Sequence, residues 1–307
     1  MKEIKKVSLI GLGGIGASFG AKIHKFDSSM LRIAADSKRI EKYKNNGIYI
    51  NNERVDFNYF TPDTNIEKAD LLIIATKYQG LKDAIEESKN HVKDDTIIMS
   101  LLNGIESEDI IHKYYPNNKV LYSFVVGSDI VREKVRITYE NLGNITFGDK
   151  NNEFLSKQAA LVKDLFDKSG VPYNIPINME KAMWCKFMYN VGINQSSAVL
   201  EAPYGVFKEI PESREVMKAL MNEVVQISVK AGVNLSSEDM DLFLNKTLPS
   251  LSARGKTSML QDIEAGRKTE VEMFAKTVVN MGIKYNIPTP VNQVFYNMIR
   301  TKEQIKI

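Results

Sequence analysis

The chain has 307 residues, 43% hydrophobic and 26% charged, enough for two globular domains with a core each. A formal net charge of +3, with Lys and Arg scattered rather than blocked, argues against a nucleic-acid or acidic-membrane surface. The single cysteine, Cys185, cannot close an internal disulfide, no apolar run reaches the roughly 18 residues of a membrane span, and the N-terminus lacks a signal-peptide shape, so the expectation is a cytoplasmic protein.

Val7 to Ile10 is a short apolar run that leads directly into Gly11-Leu12-Gly13-Gly14-Ile15-Gly16. This is G-x-G-x-x-G, followed by helical periodicity through Ala17, Phe19, Ala21 and Ile23. The first glycine permits a tight turn, the second lets the backbone approach a pyrophosphate, and the third lets helix and strand pack closely. The helix N-terminus adds free N–H groups and positive dipole. A second strand, Leu31 to Ala35, ends in Asp36, 20 residues past Gly16. In that context residues 11–16 read as a dinucleotide site. The Asp36 carboxylate can accept from a ribose 2′-OH and repels a 2′-phosphate, which favours NAD; Ser37, Lys38 and Arg39 beside it could hold a phosphate, so NAD and NADP both stay open.

Residues 48–60 alternate loosely, as one or two short strands would. Asp70 to Ala75, apolar throughout after its first residue, is fit for a buried parallel strand, and Lys77 stands just past its carboxyl end, where open α/β sheets bind ligands. A helix over 80–91 leads to a second such strand, Thr96 to Leu102, which ends in Asn103-Gly104, so Asn103 occupies the equivalent position. Lys119 to Val126, Val135 to Tyr139 and Asn144 to Phe147 read as strands, Glu153 to Ser169 as an amphipathic helix, and Val171 to Pro176 as an edge strand. Beyond 177 strand patterns vanish, and helical periodicity dominates at 179–200, 212–231, 237–246, 258–283 and 290–301. The expected fold class is α/β: a Rossmann-type doubly wound dinucleotide-binding domain over 1–177, then an all-α substrate and catalytic domain over 178–307.

Within that helical half, the stretch W-C-K-F-M-Y-N-V-G-I-N places Lys186, Asn190 and Asn194 at i, i+4 and i+8. At about 100° per residue they lie within roughly 80° of one another, a polar ribbon about 12 Å long. Its flanks are apolar, with Trp184, Phe187 and Val191 on one side and Ala182, Tyr189 and Ile193 on the other. Asparagines are poor helix formers, so the ribbon reads as cleft-facing or as a polar seam against another helix. Downstream, Ser258 with Gln261 three residues later forms an S-x-x-Q capping box, and a helix start is also where a substrate carboxylate is held. Glu270 sits beside Thr269 and Val271, with Glu272 nearby. His24, His91 and His112 have no ligand spacing among themselves or to Cys185, so no metal site is expected.

Together G-L-G-G-I-G, T-K-Y-Q around Lys77, Asn103-Gly104, W-x-K-x-x-x-N-x-x-x-N and S-M-L-Q-D-I-E-A-G-R-K-T-E ending at Glu270 resemble the ketopantoate reductase (2-dehydropantoate 2-reductase) family. The likeness covers essentially the whole length, and the last two motifs are the specific ones. It implies Lys186 as the catalytic acid, with Asn190 and Asn194 contacting the substrate and Ser258 binding its carboxylate end. It also implies Asn103 beside both nicotinamide and substrate, and Lys77 and Glu270 in contact with cofactor or substrate across a cleft between the domains. The implied cofactor is NADP, with Asp36 arguing for NAD, and the implied partner is a small 2-oxo acid; a homodimer is compatible with the family. The family usually has Arg where Asp36 stands, and Tyr204 stands where a further substrate-contacting Asn is expected.

The residue types suit that chemistry. Hydride delivered to a ketone carbon leaves an alkoxide that needs a proton, and a lysine ammonium lowered in pKa by burial stabilises that charge and donates. Neutral asparagines offer donor and acceptor to a substrate hydroxyl, and a carboxylate such as Glu270 would keep the lysine oriented. The rival readings are a dehydrogenase of another small 2-oxo acid or an opine-like substrate, and a cofactor-binding regulator without turnover; the latter predicts loss of the acid, whereas Lys186 is present.

Overall fold

Four short runs, VSLI, LRIA, LLII and IIMS, are buried at every position and form the centre of a parallel sheet. Such uniform burial is what strands covered by helices on both faces require. The computed structural model describes residues 3–305, and the chain divides into two units after Met179.

In the first unit the strands are β1 (Val7–Ile10), β2 (Leu31–Ala34), β3 (Tyr49–Ile50), β4 (Glu53–Arg54), β5 (Asn58–Phe60), β6 (Leu71–Ile74), β7 (Ile97–Ser100), β8 (Lys119–Val126), β9 (Val131–Glu133), β10 (Arg136–Thr138), β11 (Asn144–Gly148) and β12 (Tyr173–Asn174). Its helices are α1 (Gly14–Phe26), α2 (Ser37–Asn46), α3 (Leu81–Ser88), α4 (Ser107–Tyr114) and α5 (Lys157–Ser169). The large sheet runs β12-β11-β8-β7-β6-β1-β2-β5, and every pairing in it is parallel except β8 with β11. Because the chain goes from β1 to β2 and β5 on one side and then returns to β6 on the other, the topology switches between β1 and β6.

The irregular stretch 48–60 holds three short strands rather than one or two. Of these, β3 and β4 join β9 and β10 in a separate four-stranded sheet, β4-β3-β10-β9. Strands of two or three half-exposed residues carry too little alternation to be counted from sequence.

The second unit is helical. It comprises α6 (Met179–Leu200, whose first residue closes the first unit), α7 (Tyr204–Glu209), α8 (Pro211–Lys230), α9 (Ser237–Leu242), α10 (Leu248–Ser250), α11 (Ser258–Glu264), α12 (Thr277–Tyr285) and α13 (Pro290–Lys302). Wide π-type turns at Phe243–Thr247 and Glu272–Lys276 precede α10 and α12. The expected single helix over 258–283 is broken. After Glu264 the chain makes a Schellman stop: Gly266 takes φ +60°, its N–H reaches Ile263 O at 3.0 Å, and Arg267 N reaches Asp262 O at 2.8 Å. Hydrophobic periodicity carries across such a stop because it is blind to one left-handed residue.

Helix α6 meets α8, both π-type turns and α13. Gly192 lets α8 approach so closely that an added Cβ would meet Met221 Cγ at 2.6 Å. Phe187 meets Phe274 at 6.4 Å between centroids, and Tyr189 stacks on Phe243 at 4.5 Å. Gln195 Nε2 donates to Asn292 Oδ1 at 3.0 Å, tying α6 to the start of α13. There the buried Glu223 of α8 accepts from Val291 N at 2.8 Å, Asn292 N at 3.0 Å and Asn292 Nδ2 at 2.7 Å, capping α13 in trans. Glu223→Ala removes the acceptor of Val291 N, Asn292 N and one Asn292 Nδ2 hydrogen, and denaturant unfolding should show a loss of about 2–4 kcal/mol. A loss under about 0.5 kcal/mol would mean that water replaces the carboxylate there.

Candidate functional site

The register of the sheet levels the carboxyl ends of four strands, since Ile10 lies opposite Ala34 and Ile74, and Ile74 lies opposite Ser100. Bonds from Ala75 N to Ile10 O and from Leu101 N to Ile74 O, both 2.8 Å, extend the ladder by one step. Residues just beyond these ends therefore share one edge: the glycine loop after β1, Asp36 after β2, Lys77 after β6 and Asn103 after β7. Lys77 and Asn103 stand at the same offset, three residues past the paired ends of neighbouring strands.

The three motif glycines differ in what surrounds them. Gly11 has φ +98° and an added Cβ would lie 2.5 Å from the Ala75 carbonyl, while one on Gly16 would strike the Gly11 carbonyl oxygen. Both positions are closed by backbone, so only glycine fits. Gly13 is open, its nearest neighbour on that side being Ala75 O at 3.9 Å. Gly13 caps α1 without a side chain, and the first turn of α1 has no acidic residue, so its amides and dipole can meet an anion. A dinucleotide pyrophosphate fits this cradle.

Beside the cradle lies a segment that sequence patterning missed. Ile130 Cγ2 would sit 2.9 Å from a Cβ on Gly14, and the Arg132 guanidinium donates to Leu12 O and, through Nε, to Lys134 O at 2.9 Å. The small sheet thus lays a cation against the glycine loop. Nothing in a three-residue, half-exposed strand announces this.

Asp36 has a structural task as well. Its carboxylate caps α2, accepting from Arg39 N at 2.8 Å and pairing with Arg39 Nε at 3.1 Å. That contact draws Arg39 onto the very residue that would discriminate at the ribose. Lys77 is exposed and Asn103 half-buried. The Asn103 loop is closed at its base, where Ser100 Oγ donates to Ser107 Oγ at 2.8 Å and Ser107 Oγ to Glu108 Oε2 at 2.9 Å.

In the second unit Lys186, Asn190 and Asn194 lie on α6, with a gradient of burial. The first two are half-buried, Asn194 is 6% exposed, and the Gln195, Ser196 and Ser197 that follow are fully enclosed. Trp184, Phe187, Val191 and Ile193 beside the ribbon are buried, so the polar groups emerge from an apolar wall. Among the described residues the amides of Asn190 and Asn194 make no side-chain hydrogen bond, which leaves donors and acceptor for a small polar molecule.

Ser258 requires a correction. The residue capping α11 is Thr257, whose side chain accepts from Leu260 N at 3.1 Å, and Ser258 is the first helical residue, exposed. Both hydroxyls precede the apolar run, and the cap falls to Thr257 because its extended backbone (φ −66°, ψ 155°) directs the oxygen back at the N–H groups. The Ser258 hydroxyl is thereby released from capping. Tyr204 lies near this turn: Tyr204 N donates to Gly255 O at 3.0 Å, and its half-buried ring would touch a Cβ on Gly255. Burial raises the phenol pKa, keeping Tyr204 a neutral donor. Glu270 is buried at 9% exposure, and its neighbour Thr269 is held through N and Oγ1 by Glu303 Oε1, both at 2.7 Å. Glu303, which also pairs with Arg300, fixes the approach to Glu270 from the far end of the chain and carried no motif.

No group of His, Cys, Asp and Glu suited to a metal occurs among the described residues, and no helix there is long and apolar enough to cross a membrane. Cys185 is half-buried, and burial pushes its thiol up to about 11, so it is no nucleophile.

Comparison with known proteins places the two units in one family. The model described as "Ketopantoate reductase PanE/ApbA" matches residues 7–152, and "Ketopantoate reductase PanE/ApbA C terminal" matches 178–303. A 2-dehydropantoate 2-reductase of Streptococcus pyogenes is 26% identical over 97% of this chain and 98% of its own, and that of Aquifex aeolicus is 26% identical over 98% and 97%. Among solved structures, a PanE/ApbA family ketopantoate reductase from Ralstonia eutropha superposes with TM-score 0.84 at 21% identity, covering 97% of this chain and 98% of that one. A ternary structure of D-mandelate dehydrogenase with NADH and anilino(oxo)acetate has the same TM-score, identity and coverage. With a closed glycine turn opening an amide cradle in one unit, a lysine-asparagine ribbon in the other, and family matches across both, the chain belongs to the ketopantoate reductase family of oxidoreductase enzymes.

Proposed function

We propose that the protein reduces the C2 ketone of 2-dehydropantoate to pantoate with NADH or NADPH, supplying pantothenate and coenzyme A synthesis. The observation that carries this reading is the α6 ribbon, one ammonium and two uncommitted carboxamides in a row on an apolar wall. Relatives named 2-dehydropantoate 2-reductase along the full chain support it.

The nicotinamide cofactor supplies the hydride. In unit 1 the amides of residues 11–16 and the α1 dipole hold the pyrophosphate, Asp36 meets the adenosine ribose, and Lys77 and Asn103 orient the nicotinamide end. In unit 2 Lys186 Nζ stabilises the alkoxide left at the ketone oxygen and gives it a proton, so that ketone, hydride and proton together make the alcohol. Asn190 and Asn194 bind the substrate's hydroxyl and carbonyl oxygens, Ser258 its carboxylate, and Glu270 orients the lysine or the cofactor.

A second reading has its own observation. Tyr204 lays a large neutral ring beside the turn that leads to Ser258. That suits a 2-oxo acid with a bulkier or aromatic substituent, and the D-mandelate dehydrogenase neighbour was solved with such an acid.

Steady-state assays of 2-dehydropantoate and an aryl 2-oxo acid, each with NADH and NADPH, test both readings. Turnover of 2-dehydropantoate at kcat/KM at least about tenfold above the aryl acid is expected; the reverse order transfers the assignment to the second reading, and no turnover with either acid removes both. Lys186→Ala should lower kcat by at least about 100-fold while cofactor binding persists, and near-normal kcat would take Lys186 out of the acid role. Asp36→Arg should shift preference toward NADPH, at about 1 kcal/mol of stability for the lost α2 cap. An unchanged cofactor ratio would mean that Lys38 and Arg39 already set it.

A further inference from the structure

Between Ser100 and Ser107 the chain leaves β7, forms the loop that carries Asn103, and enters α4. Four hydrogen bonds lock its base in a single direction. Leu102 N donates to Ser100 Oγ at 3.5 Å, Ser100 Oγ to Ser107 Oγ at 2.8 Å, and Ser107 Oγ to Glu108 Oε2 at 2.9 Å; from β8, Ser123 N donates to Glu108 Oε1 at 3.4 Å. Ser100, Ser107, Glu108 and Ser123 are all buried, Glu108 at 3% exposure. Every donor ends on the carboxyl group.

We propose that Glu108 is a positioning residue whose ionised carboxylate terminates this chain and fixes the Asn103 loop, and whose protonation loosens it. This rests on the reading of Asn103 as a nicotinamide and substrate contact.

An ionised carboxylate only accepts, which suits the observed direction. Once protonated, the group must donate, and the nearest acceptor is Ser107 Oγ. The Ser107 hydrogen then turns toward Ser100 Oγ, and the Ser100 hydrogen loses its acceptor in a buried place. The defect therefore lands on residues 100–102, next to Asn103. The Ser100 carbonyl is already engaged, accepting from Ser123 Oγ at 2.7 Å.

The surroundings supply little charge to oppose a proton. Burial pushes Glu108 up to about 7, and Asp109 on the same helix pushes the same way, against the bonds from Ser107, its own backbone and Ser123. Further along α4 lie His112 and Lys113, β7 carries no ionisable group, and β8 carries Tyr122, beneath the Lys150 ammonium, and Lys119, paired with Asp149. Helix α3 carries Lys82, Asp83, Glu86 and Glu87. No cation pairs with Glu108 among the described residues.

The two roles give slopes of opposite sign. An unfolded glutamate titrates near 4.5 and the folded one near 7, so in that window the folded protein binds more protons and stability falls as pH rises. Loop positioning improves over the same rise.

The test measures KM for 2-dehydropantoate and the dissociation constant of NADPH from about pH 6 to about pH 8, beside urea unfolding, in the native protein and in Glu108→Gln. The native KM should fall roughly tenfold toward high pH while unfolding free energy declines. Glu108→Gln, which always carries N–H donors, should hold KM high throughout and flatten the stability slope. Should that variant fail to fold, Ser107→Ala cuts the same chain and should likewise hold KM high at both ends. Identical KM profiles in native and variant proteins, with only the stability slope lost, would overturn the positioning role. Asn103→Ala separates the two levels: near-normal turnover there overturns the reading of Asn103 and this inference with it, whereas lost turnover there with unchanged profiles in Glu108→Gln overturns the role of Glu108 alone.

Discussion

The first unit depends on one close approach, the backbone of Gly11 against the carbonyl of Ala75. The turn after β1 must pass over the end of β6 with no side chain between them, and the same crowding recurs where Gly16 meets the Gly11 carbonyl. With the turn so tight, α1 begins within four residues of the strand end and aims its first amides over the sheet edge. A Cβ at either position would lift the turn and with it the anion cradle. The parallel register does the rest, because level strand ends carry Lys77 and Asn103 to that edge by backbone pairing alone.

The second unit solves a different problem. A helix with buried polar groups tends to satisfy or expose them, and α6 does so for part of its length. Toward its end, Gln195 is bonded to Val191 O and Asn292, and Ser197 to Ala202 O. Earlier, Asn190 and Asn194 keep their amides uncommitted. The buried carboxylates of Glu223 and Glu303 stiffen the frame around this ribbon by capping α13 and holding Thr269. Behind the ribbon Gln195 Nε2 and Ser197 Oγ are bonded while Gln195 Oε1 and Ser196 Oγ are buried without a partner, so polar satisfaction along α6 is uneven.

Much of this was legible in the residues. The runs that became β1, β6 and β7 are apolar without a break, a pattern a buried parallel strand shares with few other elements, and the glycine loop fixed which edge matters. The α6 spacing held because helical geometry is local. What was illegible depends on contacts distant in sequence. Arg132 reaches Leu12 across 120 residues, Glu303 holds Thr269 across 34, and Glu108 draws its place from Ser100 and Ser123 on neighbouring strands. The cap at Thr257 and the stop at Gly266 were missed for another reason: both hang on the dihedrals of a single residue, and periodicity averages over many.

The separation between frame and chemistry accounts for how this fold tolerates drift. The Ralstonia ketopantoate reductase and the D-mandelate dehydrogenase share only 21% of residues with this chain, yet both superpose on it with TM-score 0.84. Register, glycine closure and buried caps are set by backbone geometry and by a few satisfied carboxylates. Under the proposed function, residues at the strand ends and along 186–194 of α6 are held from behind and would answer to a ligand in front. Asp36 and Tyr204 are such positions: the one is anchored by the N–H groups of α2, the other by the carbonyl of Gly255. Under the proposed function a change of side chain there would retune which phosphate or which acyl substituent is accepted and leave the sheet and bundle in place, so departures from a family pattern at these two residues would bear on specificity rather than on whether the chain is an enzyme of this fold.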